Sequence, residues 1–281
     1  MSATLLEPTP VRAPAPPGLK VTQARVIRSE WIKFRSLRST VYTLAAAAVL
    51  LVGLGLLFAA VQSGQVSGPG GGANRDVEDA TTVTLSGVIL AQLIIGSLGV
   101  LFTAGEYSTG MIRSSLAAVP RRLPVLWGKA IVFAGVVFAV TTVAAFLAFF
   151  GGQAVLSAGG AATASLGDPG VLRAILGAAV DLTGIGLLGL ALGALLRNTA
   201  GAISTLFGVV MLLPGVLGLL PADFSSAVGP YLPSNAISAF MTPVAAPGAT
   251  TLSPWTGLAV FVGYIVVLLG LAAVSLRKRD A

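Results

Sequence analysis

The chain has 281 residues, of which 55% are hydrophobic and only 10% are charged, with a mean hydropathy of +0.92. A soluble domain carries about 25% charged residues, so this composition excludes an ordinary water-soluble globular protein. The sequence contains neither Cys nor His. This excludes disulfides, thiolate nucleophiles, imidazole bases and the usual zinc sites.

The N-terminal 40 residues divide into two parts. Residues 1–20 are rich in Pro and Ala, and we expect them to form a disordered tail. Residues 21–40 are predicted to form an interfacial helix that lies on the membrane surface. Its apolar residues recur at helical spacing among basic ones: Ile27, Trp31 and Phe34, with Arg28, Lys33 and Arg35 around them. The alternative is a basic flank that only sets the topology.

Six long apolar stretches follow within residues 21–281, which we take as a single transmembrane domain. Their approximate bounds are 41–61, 85–104, 125–150, 172–196, 201–220 and 255–276. A bilayer core of about 30 Å requires about 20 apolar residues of helix. None of the stretches shows the period-two alternation of barrel strands. The predicted fold is therefore all-α: a polytopic membrane protein with six transmembrane helices.

The distribution of basic residues predicts the orientation. If the N-terminus is cytoplasmic, all of the 17 Lys and Arg residues except Arg75 and Arg173 lie on the inner side. The positive-inside rule then places both termini in the cytoplasm of a multi-pass plasma-membrane protein. The net charge of +7 is explained by topology and by attraction to anionic membrane lipids. Nucleic-acid binding is not expected, because no soluble domain presents a basic face.

Asp181 is the only carboxylate deep within a predicted span, and such residues usually face a partner or a water-filled path. Arg173, Gly177, Asp181 and Gly184 share one helical stripe. Asp181 therefore has two interpretations: a transport role, or a structural bond to another helix or towards Arg173. Gly189 and Gly193 form a GxxxG pattern, which indicates close helix packing.

Two proline-containing segments are expected to depart from straight helix. Pro214 lies inside the fifth span and should kink it. Residues 221–254 contain six prolines yet stay fairly apolar. This favours short re-entrant or surface-lying helices over a plain external loop.

Four short sequence pieces resemble the membrane subunit of ABC-2 type exporters, in particular its actinobacterial branch. They are residues 28–39 (RSEWIKFRSLRS), 106–113 (EYSTGMIR), 195–198 (LLRN) and 232–235 (LPSN). The piece at 106–113 is the most specific, and the similarity extends from about residue 21 to the C-terminus. In addition, no Lys is followed by Ser or Thr, so the chain lacks a phosphate-binding G-x-x-x-x-G-K-[ST] loop.

The resemblance implies a non-catalytic permease that pairs as a dimer, either with itself or with a second permease, and that docks on a separate ABC ATPase. ATP and Mg²⁺ would bind to that partner, and this chain would hold no cofactor or metal. The residues carried over as the ATPase-coupling contact are Glu106, Tyr107, Thr109, Gly110, Met111 and Arg113, beside the interfacial helix with Trp31, Phe34 and Arg35. The alternatives are a non-transporting membrane scaffold and an ion-coupled secondary transporter. The apolar, sparsely charged spans favour an amphipathic cargo.

Overall fold

The computed structural model describes residues 22–66, 79–108, 110, 123–244 and 251–278. Of these residues, 84% are helical and none forms a strand. The all-α prediction is therefore confirmed. The predicted tail at residues 1–20 lies outside the described residues, as do Thr109, Met111 and Arg113.

Eleven α-helices are present in the described part of the chain. They are α1 (Gln23–Ser36), α2 (Arg38–Gln62), α3 (Ala80–Thr84), α4 (Val88–Ser108), α5 (Leu123–Ala158), α6 (Val171–Leu196), α7 (Thr199–Phe207), α8 (Leu213–Leu217), α9 (Ala222–Val228), α10 (Pro233–Met241) and α11 (Pro254–Lys278). In chain order, the six predicted spans coincide with α2, α4, α5, α6, the run from α7 to α8, and α11. All six are long and apolar enough to cross a membrane, so the protein has the character of a multi-pass membrane protein.

The third and fifth spans differ from simple straight helices. α5 continues through Ala158, eight residues beyond the apolar run predicted to end at 150. The fifth span contains a π-helical turn over Gly208–Leu212, directly before Pro214 in α8. Proline cannot donate a backbone hydrogen bond, which explains a change in the hydrogen-bonding pattern next to Pro214. The kink expected at Pro214 stays a prediction.

α6 is the central helix of the bundle, and most of its side chains are buried. It packs tightly against α4, because glycines on the two helices allow their backbones to approach. A Cβ atom on Gly99 would overlap the carbonyl oxygen of Gly186, and one on Gly189 would overlap that of Gly96. The Gly189–Gly193 pattern therefore does mediate close packing, as the sequence predicts.

The outermost helices carry apolar side chains on their exposed faces. Examples are Val49 on α2 and Val266 and Val267 on α11, each at least 60% exposed. Exposed apolar surface of this extent on long helices is typical of contact with lipid chains.

The bundle has two ends, which we name by the short helices they carry. The α1 end holds α1, the last turn of α4, the first turns of α5 and Arg197 after α6. The α10 end holds α3, α9 and α10. The described residues 221–244 form the short helices α9 and α10, and α10 is packed between α6 and α11.

Candidate functional site

α1 packs lengthwise against the start of α5. Its buried residues are Val26, Glu30 and Phe34, which recur every fourth position and so form one face. Gly128 on α5 allows this approach, since a Cβ atom there would lie 3.0 Å from a methyl group of Val26. The buried face differs from the predicted apolar one: Phe34 is buried, but Trp31 is 44% exposed. A position on the membrane surface therefore stays a prediction, because the buried face of α1 is covered by the bundle.

A cluster of four charged side chains joins α1, α4 and α5. We call Glu30, Lys33, Glu106 and Lys129 the charge cluster. Nζ of Lys129 lies 2.9 Å from Oε2 of Glu30 and 2.6 Å from Oε1 of Glu106. Nζ of Lys33 lies 3.1 Å from Oε1 of Glu30 and 3.3 Å from Oε1 of Glu106. Two acids and two bases balance, so the cluster has no net charge.

The cluster is shielded from solvent on its bundle side by three phenylalanines. Phe34, Phe102 and Phe133 contact one another with ring centroids 5.3–6.3 Å apart. The ammonium of Lys129 lies 4.5 Å from the centroid of Phe102, a distance suited to a cation–π interaction. Lys129 and Glu30 are each only 2% exposed. Buried charges of this kind require their partners, because an unpaired buried charge is strongly destabilising.

The pKa of Lys33 reflects this environment. Burial of the ammonium acts to lower the pKa, whereas the carboxylates of Glu30 and Glu106 act to raise it, and the net pKa lies above the ordinary value of 10.5. Lys33 is therefore charged at neutral pH and stabilises the two acids.

The predicted coupling residues occupy different environments. Glu106 is buried and belongs to the charge cluster, where its Oε1 atom pairs with Lys33 and Lys129. The ring of Tyr107 is covered by the guanidinium of Arg197 at 5.1 Å, and Gly110 follows the end of α4 with φ of 72°. That left-handed conformation suits glycine as a helix terminator. Thr109, Met111 and Arg113 lie outside the described residues, and Arg35 is exposed on α1.

A second feature is a cavity of about 490 Å³ near the α10 end. Its walls come from α3 and the start of α4, the middle of α6, the fifth span around Pro214, and α10. Half of the residues that line it are polar, but most of the lining surface is apolar. Ligand pockets commonly have this size and this mixed lining.

Asp181 on α6 lines this cavity and is only 3% exposed. Its Oδ1 atom accepts no hydrogen bond from the residues that the structure describes. No ion pair joins Asp181 to Arg173, although both residues are described, so the predicted pairing is wrong. The glycines of the stripe pack on other helices: Gly177 packs against Met241 on α10, and Gly184 packs against Phe261 on α11.

Arg173 instead binds the C-terminal end of α10. Its Nη atoms donate to four backbone carbonyl oxygens: those of Phe240 at 2.6 Å, Thr242 at 2.9 Å, Pro243 at 3.0 Å and Ala239 at 3.4 Å. The last carbonyls of a helix lack partners within the helix and carry partial negative charge, which explains the choice of a cation. Arg173 thereby fixes α10, which forms one wall of the cavity.

Sequence reasoning missed the roles of Glu30 and Lys129. Both carried a signal: Glu30 is the only acid in a strongly basic segment, and Lys129 lies four residues into an apolar stretch. Opposite charges at such unusual positions are candidates for pairing. Their partnership nevertheless depends on the way α1 packs, which the sequence does not specify.

A comparison with protein-family models finds no matching family. A comparison with curated proteins likewise finds no match.

Proposed function

We propose that this chain is the membrane-spanning permease subunit of an ATP-driven ABC-2 type exporter in the plasma membrane. In this proposal the chain is non-catalytic, a separate ABC ATPase binds ATP and Mg²⁺, and two permease chains pair around the transport path. The cargo is an amphipathic compound. The proposal rests on the resemblance of four sequence pieces and on the arrangement of the helices that carry the first two of them.

The observation that carries the proposal is the charge cluster. It ties α1 to the last turn of α4 and the first turns of α5, which are the two spans joined by residues 109–122. A force applied to α1 or to that joining segment would therefore reach two membrane helices together. An ATP-driven exporter needs such a rigid connection, because ATP is hydrolysed outside the membrane and the transport path lies inside it.

The α10 end supports the same proposal. α10 packs on α6 and α11 and forms one wall of a cavity whose other walls belong to α4, α6 and the fifth span. The π-helical turn before Pro214 lies at this wall. A cavity lined by several separate elements changes shape when any of them moves, and that is what an alternating transport path requires.

The proposal predicts that a separate ABC ATPase is encoded next to this chain. The test is co-purification with that ATPase, followed by ATP turnover of the pair in lipid nanodiscs. Arg113→Ala is the sharper variant, because Glu106→Ala also breaks the charge cluster and alters the fold. We expect Arg113→Ala to lower ATPase binding or permease-dependent turnover by roughly 5-fold or more. Arg75→Ala is the matched control, since Arg75 is predicted to lie on the opposite side of the membrane, and it should have no effect.

The alternatives give different outcomes. A non-transporting scaffold would bind no ATPase and stimulate none, and unchanged turnover in Arg113→Ala would reject the coupling assignment. The specific observation that favours an ion-coupled transporter is buried Asp181, which has no ion-pair partner in the part of the chain that the structure describes. In that case, vesicles containing this chain alone would show gradient-driven flux, and Asp181→Asn would abolish it.

A further inference from the structure

The cavity near the α10 end combines one acidic group with an otherwise uncharged wall. Among the described residues that line it, Asp181 alone carries an ionisable side chain. The carboxylate is 3% exposed, and its Oδ1 lacks a hydrogen-bond partner within the described part of the chain. A buried carboxylate without a partner is costly in a medium of low polarity, so a cation that enters the cavity gains a strong interaction.

The nearest basic residue on the same helix is already occupied. Arg173 lies two helical turns from Asp181, but its Nη atoms donate to the backbone carbonyls at the end of α10. No described residue forms an ion pair with Asp181. The positive charge that would complement this carboxylate is therefore not supplied by the described protein side chains.

The polar lining offers further hydrogen-bonding atoms. Oγ of Ser234 is enclosed and has no partner among described residues. Ser238 and Asn235, by contrast, already donate to backbone carbonyls of Ser234 and Gly229. Asp181 and Ser234 are thus the two lining residues with an enclosed, unpartnered side-chain oxygen. Both oxygens accept hydrogen bonds, and this matches a donor group such as an ammonium.

The apolar part of the lining is adaptable. Leu85, Ile89 and Ile237 supply branched surface, and Met211 and Met241 supply flexible thioethers that adjust to irregular shapes. About 490 Å³ of space accommodates a drug-sized molecule. The lining therefore suits a molecule with an apolar body and a single positively charged donor.

We propose that this cavity is a binding site for amphipathic organic cations, with Asp181 as the residue that binds the charged nitrogen. As a statement about transported cargo, this rests on the proposed function. As a statement about binding, it concerns this chain alone.

The test is a fluorescence-polarisation titration of the purified chain in lipid nanodiscs, without ATPase or ATP. The probe is rhodamine 6G, an amphipathic cation, and a neutral BODIPY dye of similar size is the comparison ligand. We expect the cation to bind more tightly than the neutral dye. Asp181→Asn should weaken rhodamine 6G binding by roughly 10- to 100-fold, the loss that accompanies a hydrogen bond to a charged group.

Asp168→Asn is the matched control. Asp168 is an exposed acid in the loop before α6, where it accepts a hydrogen bond from the backbone N–H of Ser165, and its replacement should leave probe binding unchanged. Size-exclusion elution and resistance to unfolding in detergent check that each variant folds. Ser238→Trp is a second variant, because it places a bulky side chain in the cavity from the exposed face of α10 and should also abolish binding.

Undiminished rhodamine 6G binding in folded Asp181→Asn would overturn the proposal. So would equal affinity for the neutral dye. If Asp181→Asn does not fold, retained binding in Ser238→Trp would overturn it instead. Because no ATPase is present, binding that depends on Asp181 stands even if no ATPase partner is found, and failure of binding leaves the exporter proposal intact.

Discussion

Replacing Lys129 by Met removes the central cation of the charge cluster. Methionine has a similar length and a good helix propensity, so α5 itself should persist. The change leaves Glu30 and Glu106 buried with Lys33 as their only cation within the cluster. Removing one partner of a buried ion pair costs about 3–5 kcal/mol, because the remaining charge is left without compensation.

The structure places Lys129→Met at the lower end of that range. Lys33 still lies 3.1 Å from Glu30 and 3.3 Å from Glu106, but it is partly exposed, and it cannot replace the contact of 2.6 Å that Lys129 makes. We therefore expect the free energy of unfolding to fall by about 3 kcal/mol. The loss should be concentrated at α1, whose buried face depends on the cluster.

Two measurements check this expectation. Reversible unfolding by SDS in mixed micelles gives the change in free energy, and hydrogen–deuterium exchange shows whether residues 23–36 lose protection. Lys278→Met is the matched control, since Lys278 is exposed in the last turn of α11, and it should change stability by less than about 0.5 kcal/mol.

A double variant tests the electrostatic explanation itself. Lys129→Met combined with Glu106→Gln removes one charge of each sign, so it should recover part of the stability that Lys129→Met loses. A Lys129→Met protein as stable as the wild type, with α1 still protected from exchange, would refute the view that the cluster holds α1 in place. Strictly additive effects in the double variant would refute the pairing of Lys129 with Glu106.

Three further predictions concern packing, capping and pH. Gly99→Ala should destabilise the fold by about 3 kcal/mol or more in SDS unfolding, because the added Cβ atom would overlap the backbone of Gly186. The control Gly263→Ala adds a Cβ atom that meets no neighbour and should be neutral or slightly stabilising, so equal effects of the two variants would contradict the glycine contact. Arg173→Leu should lower the free energy of unfolding by about 2 kcal/mol and increase hydrogen exchange in α10, and Arg173→Lys should restore only part of the loss. Unchanged exchange in Arg173→Leu would show that the four carbonyl contacts are dispensable. Because the pKa of Lys33 is raised above 10.5, the stabilising effect of its charge is fully present below pH 10.5 and is lost as the pH rises further. The unfolding midpoint should therefore fall less in Lys33→Met than in the wild type between about pH 9 and about pH 12. An identical fall in the variant and the wild type would contradict this.

The long helices could be predicted because each one is recorded locally in the chain. Every span contains enough consecutive apolar residues to cross a bilayer. In hydrocarbon the backbone of a single span can satisfy its own hydrogen bonds only as a helix. The close packing at Gly189 also follows from a single residue, since glycine lacks a Cβ. The C-terminal extension of α5 to Ala158 was not predicted, because hydrophobicity marks the lipid-buried part of a helix and not its end.

The partners of the charged residues could not be predicted in the same way. Asp181 and Arg173 lie on one helical stripe, and the spacing made a pairing between them reasonable. α10, however, presents a set of unsatisfied carbonyls to Arg173, and that contact depends on a helix more than 60 residues away along the chain. The buried face of α1 likewise depends on Gly128 and Lys129, about 100 residues away.

The amino-acid sequence by itself determined that this is a membrane protein and that it has six long apolar helices, and it predicted on which side of the membrane the basic loops lie. These properties follow from local composition. Only the tertiary structure decided that Glu30 and Glu106 share Lys129 and that Asp181 lines a cavity without an ion-pair partner among the described residues. Ion pairs and hydrogen bonds require atoms within a few ångströms of each other. The partners of these charged residues are therefore fixed by which helices come into contact, and that information is distributed over the whole chain.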